Sequence, residues 1–158
     1  MKIKSCYFGL VIIVFLSACG ENTVYQNNVD LSSGKWASQH NILFDFDVKD
    51  TTGVYNIVYT LRNGLDYPYY NMYLNYTLKD SSGGTISSGL QELILMDKKS
   101  GKPYGSGFGD RYDHQFVSLR NFKFPYTGKY YFNIVHYMRV DSLPELYSVG
   151  LKVIKAEE

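Results

Sequence analysis

The chain has 158 residues, in which 16 lysines and arginines nearly balance 15 aspartates and glutamates for a formal net charge of +1. This balance argues against a protein that binds nucleic acid or anionic lipid through a basic surface. The length is sufficient for one domain with its own core. The 16 tyrosines favour β-strands, because aromatic side chains fit a pleated, half-buried surface.

The N-terminus carries a targeting signal. Two lysines precede an apolar run at 7–16, and the run ends in Leu16-Ser17-Ala18-Cys19. This pattern is typical of a cleaved secretory signal peptide, since the apolar run is too short to span a bilayer. The ending resembles the bacterial lipobox, in which the cysteine is diacylated and the chain is cut just before it. We predict that residues 1–18 are removed and that Cys19 carries the lipid; the alternative is an ordinary secreted protein in which Cys19 is incidental.

The cysteine count agrees with this interpretation. Cys6 lies in the discarded segment, so Cys19 is the only cysteine of the mature chain and no disulfide is available to the fold. Residues 20–34 are polar and rich in asparagine, which is typical of a flexible linker. We therefore predict a lipidated tether over 19–34 and a single globular domain over 35–158.

Alternating apolar and polar residues predict a series of strands. Ile42, Phe44, Phe46 and Val48 alternate with mostly polar neighbours, as in a strand with one buried face. Further strands are predicted at 54–62, 69–79, 85–96, 114–122, 128–139 and 147–155, with Asn63-Gly64 as a break. Helical periodicity is absent apart from a possible single turn at 142–146.

The spacing of these segments indicates an all-β fold. Seven or eight strands about ten residues apart, separated by turn residues, predict a single antiparallel β-sandwich. Immunoglobulin-like and jelly-roll sandwiches both fit, because the sequence does not show how the strands connect.

Motifs for catalysis or metal binding are weak. No Gly-x-Ser-x-Gly nucleophile elbow is present, and the glycine-rich stretch 105–110 lacks the strand-turn-helix setting of a nucleotide site. His40, His114 and His136 lack the spacing of a metalloprotease site. We predict no catalytic residue, no metal site, no small-molecule substrate and no cofactor apart from the lipid on Cys19.

A cluster of tyrosines leaves one alternative open. Aromatic faces stack on sugars, so a surface lipoprotein with a carbohydrate-binding β-sandwich is a second candidate. Cross-strand packing of the same side chains explains the cluster more simply. The residues are Tyr67, Tyr69, Tyr70 and Tyr73.

Short motifs spread over nearly the whole mature chain form one pattern. They are the lipobox, Trp36, Leu61-Arg62-Asn63, Asp66-Tyr67-Pro68-Tyr69-x-Asn71, Gly107-x-Gly109-Asp110, Phe124-Pro125-x-x-Gly128-x-Tyr130-x-Phe132 and Met138-Arg139. In this order and spacing they resemble the gliding motility-associated lipoprotein GldH family.

The resemblance implies an outer-membrane lipoprotein of bacteria that use gliding and the type IX secretion system. Family members are required for motility and for normal export or display of surface proteins, and no catalytic residues come with the family. Residues 20–23 lack the strong acidic cluster associated with surface export in such bacteria. We therefore expect the domain to face the periplasm.

The motif residues divide into scaffold and contact positions. Asp66 and Asn71 are expected to bond backbone amides of the turn around Pro68, with Arg62 paired to Asp66. Tyr130 is expected to act as a corner tyrosine. The predicted turn residues are Asp66, Pro68, Asn71, Pro125 and Gly128.

Other motif residues are harder to assign to a core. A glycine loop and an arginine at a strand end are plausible contact points for a partner, although a purely structural loop is the favoured interpretation. The candidates are Gly107, Gly109, Asp110 and Arg139. We predict a non-enzymatic adaptor, held to the membrane by its lipid, that binds other envelope proteins of gliding or secretion through a sheet face, an edge or the 104–111 loop.

Overall fold

The computed structural model describes residues 22–156, and every regular element in this range is a β-strand. The predicted signal peptide and Cys19 lie outside the described residues. The strands are β1 (Thr23–Asp30), β2 (Lys35–Ala37), β3 (Ile42–Val48), β4 (Tyr55–Gly64), β5 (Asn71–Asp80), β6 (Thr85–Ile94), β7 (Ser106–Phe108), β8 (Arg111–Phe122), β9 (Gly128–His136), β10 (Ser142–Pro144) and β11 (Leu146–Lys155).

Two antiparallel sheets form a sandwich. The five-stranded sheet has the order β1-β11-β4-β8-β7, and the four-stranded sheet has the order β3-β9-β5-β6. A small two-stranded ribbon of β2 and β10 is not hydrogen-bonded to either sheet, but Trp36 and Leu143 of the ribbon are buried in the core. The predicted fold class is confirmed, although the number of strands is larger than predicted.

The alternation in the sequence explains which side chains enter the core. In β3 every second residue is buried, as predicted, because neighbouring side chains of a strand point to opposite faces. Phe44 pairs with Phe132 of β9 and turns the same face inward. Trp36 of β2 is fully buried, and its indole N–H donates to the His40 carbonyl at 2.8 Å.

Part of the segment predicted as a tether, 19–34, forms a strand. Residues 23–30 form β1, which pairs with β11 from Thr23↔Ile154 to Asp30↔Ser148. The strand carries polar side chains on its exposed face, and this composition is typical of a linker. Tyr25 nevertheless turns toward the core, 5.4 Å from the Phe46 ring, so pairing with β11 overrides the local composition.

Two smaller expectations are wrong. Asn63-Gly64 does not break β4, because Asn63 pairs with Tyr112 and Gly64 with Arg111. The possible helical turn at 142–146 is instead a strand, β10, which pairs with β2. The three-residue strands escape prediction because they are too short to show a period of two.

The strand register defines two ends of the sandwich. We call the end that holds Thr23, Lys155 and the Phe122–Gly128 loop the proximal end. The distal end holds the turn after Gly64 and the β7–β8 hairpin. Within residues 22–156 no helix is long and apolar enough to cross a membrane.

Candidate functional site

The structure places the four predicted contact residues on two separate surfaces. Gly107, Gly109 and Asp110 lie in the β7–β8 hairpin at the distal end. Arg139 follows β9 and lines a groove with Tyr69 and other apolar side chains. The distal half of the sandwich therefore carries both surfaces.

The hairpin needs both of its glycines for backbone reasons. Phe108 pairs with Arg111, which leaves Gly109 and Asp110 as a two-residue turn. Gly109 has φ 72° at the first central position, where a type II′ turn requires glycine. A Cβ atom on Gly107 would lie 2.1 Å from the Arg111 carbonyl oxygen, so only glycine allows the two strands to approach this closely.

The base of the hairpin is held from two sides. The Leu65 N–H donates to the Asp110 carbonyl at 2.8 Å, which joins the hairpin to the turn after β4. On the other side the Arg111 guanidinium lies 3.8 Å from the centre of the Tyr147 ring. The Tyr147 hydroxyl in turn donates to the Glu145 carboxylate at 2.9 Å. The hairpin is thus supported by its neighbours.

This support presents an aromatic side chain to solvent. Phe108 is 98% exposed at the tip of the hairpin, and Tyr104 just before it is 62% exposed. Burial of a phenylalanine side chain stabilises a fold by about 1.5–3 kcal/mol, and Phe108 does not contribute this stabilisation to the domain. Sequence reasoning singled out the glycines around Phe108 and missed Phe108 itself, because sequence alone does not distinguish an exposed aromatic residue from a core one.

The second surface is an apolar groove, which we call the aromatic groove. It encloses about 520 Å³. Tyr73 of β5 and the segment after β9 form its walls and are joined by two bonds, since Tyr73 N–H donates to Met138 Sδ at 3.4 Å and Tyr137 N–H donates to the Tyr73 carbonyl at 2.7 Å. The lining residues are Tyr69, Tyr73, Leu90, Tyr137, Met138, Arg139 and Val140.

The predicted bonds around the Pro68 turn differ from those observed. Arg62 pairs with Asp113 of β8 through two hydrogen bonds of 2.7 and 3.0 Å, and not with Asp66, which is exposed. Asn71 donates to the Glu92 carboxylate of β6 at 2.5 Å. The Tyr67 hydroxyl donates to the Asn71 carbonyl at 3.0 Å and thereby closes the turn.

The other predicted turn lies at the proximal end. Pro125 occupies the loop before β9, and Gly128 begins β9 with φ 133°, a conformation that favours glycine. The Tyr130 hydroxyl donates to the Tyr126 carbonyl at 2.7 Å, which is the corner-tyrosine bond expected from the sequence. These residues close the end of the sandwich nearest to Thr23.

The two histidines of the distal half are buried against aromatic rings. His114 and His136 are each about 4% exposed, and burial lowers the pKa of both imidazoles. His114 stacks on Phe116, and His136 packs edge-on against Trp36 at 5.4 Å. In the range 22–156 no three His, Cys, Asp or Glu side chains are grouped closely enough to hold a metal ion.

The predicted tyrosine cluster is largely packed within the protein. Tyr67 is 4% exposed and lies edge-on to Tyr69, with their ring centroids 5.8 Å apart. Tyr69 and Tyr70 pack against the core, and Tyr73 is 36% exposed. Most of this aromatic surface is used inside the protein.

The whole chain is similar to proteins of one family. The model of the GldH lipoprotein family matches residues 23–153, from the first strand to the last. The chain belongs to this family. A gliding motility lipoprotein GldH homolog of Christiangramia forsetii is 31% identical over 97% of this chain and 96% of its own length. Gliding motility lipoprotein GldH of Flavobacterium johnsoniae is 27% identical over 97% of this chain and 98% of its own length.

The family confirms the resemblance seen in the sequence, and it indicates a membrane-anchored lipoprotein.

Solved structures match less closely. The infectious bursal disease virus VP2 subviral particle matches 97% of this chain and 38% of its own chain, with 11% identity and a TM-score of 0.38. The K1 cleaved adhesin domain of Lys-gingipain from Porphyromonas gingivalis matches 87% and 95%, with 12% identity and a TM-score of 0.36.

Proposed function

We propose that this GldH family member is a non-enzymatic outer-membrane lipoprotein that acts as an adaptor in gliding motility and in type IX secretion. In this proposal Cys19 carries the lipid, the domain faces the periplasm, and the distal end contacts other envelope proteins. The names of its relatives support the link to motility. The observation that carries the adaptor role is Phe108, an aromatic side chain that is 98% exposed on a supported hairpin.

The position of β1 indicates which end of the domain lies near the membrane. Only residues 20–22 separate Cys19 from β1, which starts at Thr23. Such a short segment extends over roughly 14 Å at most, so the proximal end stays near the membrane surface. The ten-residue β4 adds about 30 Å toward the distal end. Phe108 then points away from the anchoring membrane, where a protein partner is a better match than lipid.

The anchor is tested by Cys19→Ala. We expect uncleaved or soluble precursor and loss of membrane retention, measured by fractionation and immunoblotting. Cys19 precedes β1, the first strand of the fold, so the unfolding midpoint of the purified variant should equal that of the unchanged protein. Unchanged membrane retention would contradict the lipid anchor.

The adaptor role is tested by co-purification from detergent-solubilised envelopes. We expect the unchanged protein to recover motility or secretion components, and Phe108→Ser to lose most of them. Val117→Ser is the matched control, since Val117 is an apolar side chain that is 41% exposed on β8, away from the hairpin tip. Equal recovery by both variants, or isolation of the unchanged protein as a lone monomer, would overturn the role assigned to the hairpin.

The proposed orientation has its own test. A protease added to intact cells should leave the domain uncut, and it should cut the domain once the outer membrane is permeabilised. Cleavage in intact cells would place the domain on the cell surface.

A further inference from the structure

The edge strand β6 is unusually open for its length. It has ten residues, and β5 is the only strand bonded to it. Natural edge strands are commonly protected by lysine, proline, a β-bulge or a covering element. The β5–β6 pairing shifts register once, between Leu78 and Lys79 at the proximal end, and is regular along the rest of β6. β6 contains neither lysine nor proline, and its one charged side chain is Glu92. At the other edge of the same sheet, β3 carries Asp45 and Asp47 and lies against β1.

The charge on β6 is already engaged by its neighbour strand. The Glu92 carboxylate accepts a hydrogen bond from the side-chain amide of Asn71. A second hydrogen bond, between Glu92 and the Tyr73 hydroxyl, raises the pKa of Tyr73. Gln91 on the other face donates to the Ser118 carbonyl of the opposite sheet at 2.9 Å. These bonds hold β6 in place while one side of its backbone stays without a strand.

The aromatic groove lies across the exposed face of the four-stranded sheet and reaches this open edge at Leu90, its one lining residue on β6. Leu90 of β6 is 52% exposed and lines the groove with Tyr73, and Tyr137 is 62% exposed. Ile94, at the end of β6, is 38% exposed. A strand added to β6 would place alternate side chains beside Leu90, at the border of this apolar surface, as edge-binding peptides do.

Arg139 indicates the charge of the occupant. It is exposed at the groove, and among residues 22–156 it has no carboxylate partner. A second copy of the chain could offer Glu92 from its own β6, but that carboxylate is held by Asn71 and Tyr73. A different protein with a free carboxylate fits better.

We propose that β6 receives an extended segment of another protein as a fifth strand of the four-stranded sheet, with apolar side chains beside Leu90 and a carboxylate on Arg139. Backbone pairing supplies affinity, and the groove supplies specificity. The proposed adaptor function is the basis for an envelope protein as the source of that segment.

The test uses the full chain, purified from membranes in detergent, and a displayed library of random nine-residue peptides. We expect enrichment of peptides with alternating apolar residues and one acidic residue. Leu90→Lys and Arg139→Glu should each weaken binding about tenfold or more. Leu43→Lys is the matched control, because Leu43 is 58% exposed on β3 at the opposite edge of the same sheet, and it should change binding less than about twofold.

Two further measurements separate strand addition from simple contact with the groove. N-methylation of one alternate set of peptide amides should abolish binding and of the other set should not, because only every second amide faces β6. Hydrogen exchange of the β6 amides should slow when peptide is bound. Absence of enrichment, equal tolerance of both methylated sets, or a dimer of the chain itself that Leu90→Lys dissociates would each overturn the proposal.

The peptide-binding test of the β6 site and the co-purification test of the adaptor role can fail separately. Peptide binding is measured without cells, whereas the adaptor role is measured by co-purification through Phe108. Loss of peptide binding with intact co-purification therefore rejects the β6 site alone, and the reverse result rejects the role of the hairpin alone.

Discussion

At the proximal end Phe124 packs against four aromatic rings at centroid distances of 4.8 to 5.9 Å, whereas at the distal end Phe108 is 98% exposed. The hydrogen bonding of polar groups also differs between the two ends. Asp80, at the proximal end, accepts bonds from Ser82, Gly84 and Tyr126, and the Ser82 hydroxyl in particular lowers its pKa to about 2. Side chains at the proximal end satisfy one another.

Several buried polar side chains of the distal half lack a hydrogen-bond partner for at least one atom. Within residues 22–156 the buried side-chain atoms without a hydrogen-bond partner belong to Asn63, Gln91, His114 and His136, all nearer the distal end. Buried polar groups in proteins are normally paired, and exceptions concentrate where function competes with stability. The comparison therefore separates a proximal end whose side chains satisfy one another from a distal end, which we propose as the contact end of the domain.

Truncation of the two phenylalanines should show the largest difference in stability between the two ends. Phe124→Ala should lower the free energy of unfolding by about 3–5 kcal/mol, because it leaves a cavity among aromatic rings. Phe108→Ala should change it by less than about 0.5 kcal/mol, since its side chain makes few contacts to lose. Urea unfolding of both variants checks the prediction, and similar losses for the two would show that the ends do not differ.

A smaller effect is expected from the hairpin glycine. Gly107→Ala should cost about 1–3 kcal/mol, because the new methyl group collides with the Arg111 carbonyl and the strands must separate. Gly83→Ala is a useful comparison: Gly83 also has a positive φ, 86°, but a methyl group there would meet no other atom within 4 Å, so only about 1 kcal/mol of backbone strain is expected. Equal unfolding midpoints for the two variants would contradict the close approach in the hairpin.

Acid should weaken the distal half. Burial lowers the pKa of His114 and His136, with Asp113 opposing the shift at His114, so the unfolded chain binds more protons than the folded one. Stability is then full above the ordinary histidine pKa near 6.5 and decreases as the pH falls through it. Urea unfolding at pH 7.5 and 5.5 should show this decrease. His136→Gln should reduce the difference between the two pH values, and an unchanged difference would exclude His136 as its source.

The smallest effect concerns the surface ion pair of β4. Arg62→Ala removes the bidentate bond to Asp113 and should cost no more than about 1 kcal/mol, because both side chains are half exposed. Asp66→Asn should cost nothing measurable, since Asp66 is exposed and Arg62 is bonded elsewhere. A double-mutant cycle of Arg62 with each acid distinguishes the two pairings. Coupling to Asp66 would restore the pairing predicted from the sequence.

Local patterns were sufficient for the long strands and insufficient for their partners. The alternation in β3 predicts its buried face residue by residue, because only the period of two is needed. β1 was missed since its partner β11 is at the other end of the chain, and pairing at that distance leaves no local sign. Arg62 and Asp113 are 51 residues apart, and Asp66 was the nearer acid.

The candidate site was predicted only in outline. Gly107 and Gly109 were noticed because glycines stand out in a sequence, and they prove to be the residues that shape the hairpin. Phe108 and Leu90 look like core residues by type, and only the fold shows that both face solvent. Exposure depends on all the strands together, so one sequence does not reveal it.

The most direct test of a contact end and a scaffold end is photo-crosslinking in intact cells. p-Benzoylphenylalanine would replace Phe108 at the distal end or Tyr126 at the proximal end, where Tyr126 is 44% exposed. We predict discrete protein adducts from position 108 and no protein adduct from position 126. Protein adducts from position 126 alone, or none from position 108, would contradict the division between the two ends.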